Sequence, residues 1–338
     1  MYNNLYKRPA IYLLLIFLVT ACRDNMPISS EELIADFEIR TAMVNSNTDI
    51  NILDSSTGNI TRREWTFSGA NISESDVQSP IIQFTRTGDV EIQLIVFDDA
   101  QDISDTLSRC YNVFPGDGLV AYFPLDGQAR DFSGNNFNGI VNGTEMYADV
   151  NGNENSARVF HGKSDYITSS PDIDNLLSNG ATFSAWVKPL DTIDIGTIVS
   201  NLSYEGSSLV GFEFSYGTYD YRGVGLSYAS SSDDKIFWRS EDLQQMQLNE
   251  WSHVLATWNG EVDHESSEIG IYIDSQYANS NGGARHPNNN DTFSDSDDPL
   301  IIGSKYLRNN FHCAIDEVRI YDRVLSSEEI QLLQAYKQ

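Results

Sequence analysis

From Ile34 onward the chain is written in short runs that alternate apolar and polar residues, and Val90-Glu-Ile-Gln-Leu-Ile-Val-Phe97 is the plainest of them. A period of two belongs to a strand with one face buried, and runs this short leave little room for core-forming helices. Ala35–Ile39, Asp49–Leu53, Arg63–Phe67 and Ile81–Phe84 repeat the pattern. The chain is therefore predicted to be all-β. One helix is expected at its close, where Ser326 and Glu329 have capping-box spacing and Ile330, Leu333 and Tyr336 form an apolar face.

Punctuation divides the strands into two groups. Pro115, Gly116 and Gly118 break the strand that ends at Phe114, which predicts one domain over 34–115 and a second over 118–338. A first unit of about 80 residues suits one small sandwich. The second is large enough for a two-sheet core, and its frequent turns (Asn151-Gly152, Asn179-Gly180, Ser230 to Ser232, Asn259-Gly260) suit a jelly roll. The polar stretch from Gly282 to Asp298 reads as a long surface loop.

The start of the chain predicts export. Lys7 and Arg8 precede an apolar run from Ala10 to Val19, followed by Thr20, Ala21 and Cys22. A basic start, a short apolar stretch and small residues before a cut make a secretory signal, too short to span a bilayer. Val19-Thr-Ala-Cys22 resembles a bacterial lipobox, which implies cleavage of residues 1–21, lipidation of Cys22 and a tether over 22–33. Acyl chains contribute about 0.8 kcal/mol per buried methylene, enough to hold the protein on a membrane. Arg23 stands where inner-membrane retention calls for aspartate, so the expected place is the outer membrane, facing the surface or the periplasm. Losing Lys7 and Arg8 moves the net charge from -28 to -30. Such a surface repels nucleic acid and anionic lipid. Cys110 and Cys313 remain; they should lie at opposite ends of neighbouring antiparallel strands and stay unpaired.

Two families are suggested by the residues. Asp54 to Gly58, Trp65-Thr-Phe67, Ser79-Pro80 and Thr87 to Val90 together resemble an immunoglobulin-like PKD domain, with Ser68-Gly69-Ala70 in place of the family's acidic glycine turn. Further on come Gly118 to Asp126, Asp131 to Gly139, Ala157 to Ile167, Phe183 to Pro189, Glu250 to Trp258 and Ala314 to Leu325. In that order they resemble the laminin-G-like, concanavalin A-like jelly-roll family. That resemblance implies a glycan-binding fold of which only some members are hydrolases.

Candidate sites follow. Asp131 opens a turn of oxygen donors and Asp316 sits in the last strand, which the fold places beside the first. Two such carboxylates with turn carbonyls could hold Ca2+. The resemblance adds the Gly162 carbonyl and the Asn136 side chain. The alternative is that Asp131 caps its own turn while Asp316 pairs with Arg319 or Arg323. Glu261-Val-Asp-His-Glu265 reads like a retaining-glycanase signature, but the turn at Asn259-Gly260 predicts a loop there, which cannot hold two acids in register. None of the five histidines has metal spacing. Trp65, Trp186 and Trp251 match core positions. Tyr216, Tyr219, Tyr221, Trp238 and Trp258 are candidate sugar-stacking rings. Of these Tyr219, Tyr221 and Trp238, with Asp220 and Arg222 for hydroxyls, make the expected ligand site.

The expected protein is a lectin-like lipoprotein that binds a polysaccharide or glycoconjugate without cutting it, alongside other surface glycan-uptake proteins. The runner-up is an adhesin or assembly component recognising protein; a glycoside hydrolase ranks third.

Overall fold

The computed structural model describes residues 32–39, 44–162, 164–169, 173, 177, 180–191, 196–205, 208–218, 221–229, 235–239, 246–260, 268–278, 294, 296–303 and 312–335. At 204–205, 208, 217–218, 221–222 and 235–239 it describes the backbone alone. Cys22, the leader and the tether up to residue 31 lie outside the described residues, as do Tyr219, Asp220, Glu261, Glu265 and Tyr336. Among the described residues no helix is long and apolar enough to cross a membrane.

The first domain contains β1 (Phe37–Ile39), β2 (Val44–Asn45), β3 (Ile50–Asp54), β4 (Arg62–Phe67), β5 (Glu74–Ser75), β6 (Ile81–Ile82), β7 (Gly88–Asp98) and β8 (Ile103–Phe114). They build two sheets, ordered β1-β3-β6 and β2-β8-β7-β4-β5. Alternation drives every second residue inward. Phe37, Ile50, Ile52 and Ile82 from one sheet meet Trp65, Val90, Ile92, Leu94 and Val96 from the other in one core. The Trp65 indole packs edge-on to Phe37 at 5.3 Å, and its N–H donates to the Val77 carbonyl at 2.9 Å. This is a two-sheet sandwich.

The second domain begins with β9 (Leu119–Phe123), β10 (Ile140–Asn142), β11 (Glu145–Tyr147), β12 (Ala157–Phe160), β13 (Tyr166–Thr168) and β14 (Ala181–Pro189). It continues with β15 (Gly196–Ser200), β16 (Ser203–Glu205), β17 (Ser208–Val210), β18 (Phe212–Thr218), β19 (Tyr221–Ala229) and β20 (Lys235–Arg239). It ends with β21 (Ser252–Trp258), β22 (Ile269–Ile273), β23 (Gln276–Ala278), β24 (Ile301–Gly303), β25 (Cys313–Tyr321) and α1 (Ser327–Ala335). A seven-stranded sheet runs β10-β13-β24-β15-β18-β19-β20, and β16 pairs with β17 apart from it. An eight-stranded sheet runs β11-β12-β25-β14-β21-β22-β23, with β9 also on β25. The core lies between these sheets; Phe183 of one meets Phe212 and Phe214 of the other at 4.6 and 6.0 Å. The fold is the expected all-β jelly roll.

Strand β25 is the keel of the larger sheet. One edge takes β14; the other takes β12 beside Cys313–Ile315 and β9 beside Val318–Tyr321. The change of partner falls at Asp316–Glu317, where the register against β14 shifts and Glu317 adopts a φ of 54°. A positive φ on glutamate is a strained choice that marks a bulge.

The outer face of this sheet carries a second core. Leu325, Ile330 and Leu333 cover Leu119, Tyr122, Leu255 and Tyr321, and Phe114 from the end of β8 joins them. The capping box forms as its spacing predicts: Glu329 N–H donates to Ser326 Oγ and Ser326 N–H to Glu329 Oε2, at 3.3 and 2.8 Å. Leu325 and Ile330 close the hydrophobic staple around it. The connection between the domains is gripped from both sides. Ser46 N–H donates to the Phe114 carbonyl at 2.8 Å and Arg323 Nε to the Asp117 carbonyl at 2.9 Å, while a side chain at Gly116 would run into the Ser46 carbonyl. Cys110 is exposed on β8 and Cys313 is buried; both are unpaired, as expected.

Candidate functional site

The seven-stranded sheet turns Ile167, Ile302, Val199, Phe214 and Leu226 into the core. Their neighbours along each strand must therefore face outward. Register assembles those neighbours into two rows. One reads Ile140, Thr168, Ile301, Ser200, Glu213, Ser227. The other reads Asn142, Tyr166, Gly303 and, past a bulge in β15, Thr197, Ser215, Gly225. Such a face is too polar for a core and too small-sided for an ordinary solvent face.

At the β10 edge this face opens into a groove of about 590 Å³, lined by Asn138, Ile140, Asn142, Tyr166, Thr168 and Ser169 with Pro299. It offers one aromatic ring, amide and hydroxyl groups, and one exposed aliphatic side chain. Farther in, Thr197 Oγ1 donates to Glu213 Oε1 at 2.9 Å, and Ser200 Oγ donates to the Phe212 carbonyl at 2.8 Å. Ser227 Oγ is buried and has no hydrogen-bond partner among the described residues. Across both ladders Glu213 faces serine, Ser200 on one side and Ser227 on the other.

The predicted ligand residues belong to the far edge of the same sheet. Tyr221 and Arg222 open β19, and Trp238 stands in β20 in register with Leu226. Their side chains, with the whole of Tyr219 and Asp220, lie outside the described set. Two other candidate rings are core residues: Tyr216 is 1% exposed, and Trp258, 2% exposed, stacks on Tyr228 at 4.5 Å. Strand alternation in β18 and β21 turns both inward. Trp65 and Trp186 are buried as expected, whereas Trp251, just before β21, is only half-buried. Tyr166 lies within the Ala157–Ile167 motif, and its place beside core-facing Ile167 is the sequence signal that it faces outward.

Three of the four residues proposed for Ca2+ have other work. Asp131 accepts from Tyr122 N–H (3.0 Å) and Ser133 N–H (2.9 Å) on one oxygen, and from Ser133 Oγ (2.8 Å) and Phe137 N–H (2.9 Å) on the other. Four donors use up a carboxylate's lone-pair positions. The Gly162 carbonyl accepts from Asp165 N–H, and Asn136 is exposed. Asp316 accepts from Glu317 N–H at 2.9 Å; burial, then the neighbouring Glu317, push its acid up to about 9. As placed, this donor set does not fit a cation that wants six to eight oxygens. Arg319 pairs with Glu317 and Arg323 with Glu329, and the Arg319 charge also draws the Asp316 acid downward against its burial. Among the described residues no group of three or more His, Cys, Asp or Glu side chains could hold a metal ion.

Several solved structures are similar to this chain. The binding domain of Paraclostridial Mosquitocidal Protein 1 is similar at 17% identity and a TM-score of 0.51, over 65% of this chain and 52% of that one. Domain 4 of AbnA, a GH43 extracellular arabinanase from Geobacillus stearothermophilus, in a complex of that domain with arabinotriose, matches at 18% identity and a TM-score of 0.45, over 64% of this chain and 98% of that one. The receptor binding domain of the botulinum neurotoxin C/D mosaic serotype matches at 12% identity and 0.48, over 65% and 51%. The chain thus spans about half the length of the first and third of these. No curated protein matches it by sequence. Residues 161–331, just over half of the chain, match the model of the concanavalin A-like lectin/glucanases superfamily. The chain belongs to that superfamily.

Proposed function

We propose that this chain is a surface lipoprotein, held by a lipid on Cys22, whose jelly roll binds glycan without cutting it. The first domain then serves as a PKD-like spacer. The observation that carries the reading is the groove itself, where Tyr166 stands among Asn138, Asn142, Thr168 and Ser169. Sugars stack their C–H faces on a tyrosine and take hydroxyl and amide partners around it. Binding without cutting is supported at this face, where Glu213 stands across its ladders from Ser200 and Ser227, while retaining hydrolysis needs two carboxyls about 5 Å apart. Tyr166→Ala should weaken binding to immobilised neutral glycans about tenfold or more, ~1.4 kcal/mol. Glycan binding that survives this change at full strength would remove the groove from consideration.

A second reading is favoured by Ile140, 69% exposed within the groove. An apolar side chain there suits a protein partner, which would make the domain an adhesin. Ile140→Ser separates the two, since it should abolish protein capture and leave sugar stacking on Tyr166 largely intact.

A further inference from the structure

The two outward rows change in exposure along their length. Ile140 at the β10 edge is open, while Thr168 and Ile301, next in the row, are half-buried. Ser200 is then 6% exposed, Glu213 1% and Ser227 0%. The second row runs the same way, from half-buried Asn142 and Tyr166 to Thr197 and Ser215, at 5% and 2%. The groove is open at the edge of the sheet and shut from β15 inward.

The open floor spans β10, β13 and β24, adjacent strands about 4.8 Å apart, and so measures ~10 Å across. Along the strands it is as short, because β10 and β13 have three residues each, a rise of ~10 Å. A polymer lying across the strands would need the rows to stay open through β18 and β19, and they do not. A floor of this size seats a sugar ring and its neighbour. Its polar groups are amides and hydroxyls, and among the described residues no lysine, arginine or histidine lines it. On a chain whose net charge is -28, an acidic sugar would meet repulsion that no cation among the described lining residues offsets.

We infer that this groove takes the uncharged terminal sugars of a glycan, chain ends or short branches, and excludes the interior of a polymer. The inference rests on the glycan-binding reading. It is tested by calorimetric titration of the intact chain with neutral linear oligosaccharides, dimer to hexamer, of the cello-, xylo-, arabino- and manno- series, and with the parent polymers. Within a series that binds, Kd per molecule should change less than about threefold with length. One protein should seat per polymer end, and Tyr166→Ala and Asn142→Ala should each weaken binding about tenfold. Affinity that climbs with length, with many proteins along one polymer, would overturn the chain-end inference and leave glycan binding standing. No heat with any series, from protein shown to be folded by circular dichroism, would overturn glycan binding itself. Binding that ignores both substitutions would place the ligand elsewhere and overturn the inference.

Discussion

The two sheets of the jelly roll treat their outer faces in opposite ways. On the larger sheet, α1 and Phe114 seal the face, and charged groups are buried beneath them. Arg319 and Glu317, each 1% exposed, form an ion pair, and the Tyr122 hydroxyl donates to both Glu317 oxygens at 3.1 Å. The Arg319 guanidinium also lies 4.4 Å from the Tyr122 ring centroid. The smaller sheet, from β10 through Ser227, presents mostly uncharged groups beside Glu213 among its described outward side chains, and stays open at one edge. A buried charge is tolerable where a partner and hydrogen bonds answer it on the spot. A face left partly open needs no such answer, and its small polar groups remain available to a ligand.

If the sealed face depends on that ion pair, Arg319→Met should cost about 3–5 kcal/mol, because Glu317 would be left charged and buried. Urea unfolding measures this. Replacing both partners with apolar residues should recover most of the loss, and a single variant as stable as the parent would break the contrast. Phe114→Ala comes next, at about 3 kcal/mol for a large buried ring. Although Phe114 ends a strand of the first domain, the loss should surface as faster hydrogen exchange in α1; a loss confined to the sandwich would mean that the seal does not need it.

The sealed face should also be sensitive to acid. Burial, then the charge of Arg319, hold His253 down at about 3 from its ordinary 6.5, with Ser184 Oγ 2.8 Å from Nε2. Between those values the unfolded chain binds a proton that the folded chain lacks. His253 therefore contributes a loss of stability as pH drops from about 6.5 toward 3, of up to ~1.4 kcal/mol per unit, while the raised Asp316 acid contributes with the opposite sign above its ordinary 3.8. His253→Gln should remove the falling contribution, so that the variant loses less stability than the parent on acidification; an unchanged difference between about pH 6.5 and 4 would assign the slope to other groups. The smallest effect belongs to the open face, where Tyr166→Ala should shift stability by no more than about 0.5 kcal/mol. A melt lowered by several degrees would make Tyr166 a packing residue.

The architecture was largely legible because strand alternation and turn residues are local signals. The capping box at Ser326 is equally local and formed as written. The site was less legible, since an outward row gathers one residue from each of six strands, from Ile140 to Ser227, and only register brings them together. Tyr216 and Trp258 looked like sugar platforms because aromaticity is visible in sequence and the face of a strand is not. The Asp131 turn offered two readings in the sequence, a share in a Ca2+ site or a cap on its own turn, and residue types alone do not decide whether backbone N–H groups occupy both of its oxygens.

The placement of β25 bears on how the molecule is made. The strand that joins β9, β12 and β14 is the last of the domain to be synthesised, so the larger sheet has no centre until about residue 321 exists. Its pairing with β9 closes a loop of roughly two hundred residues, and such non-local contacts form slowly. Until then Phe123, Phe160 and Phe183 have no finished core to enter, and the chain stays open and vulnerable to its own kind. Removing even the segment from Cys313 onward should therefore leave no smaller version of the domain, only an unfinished one.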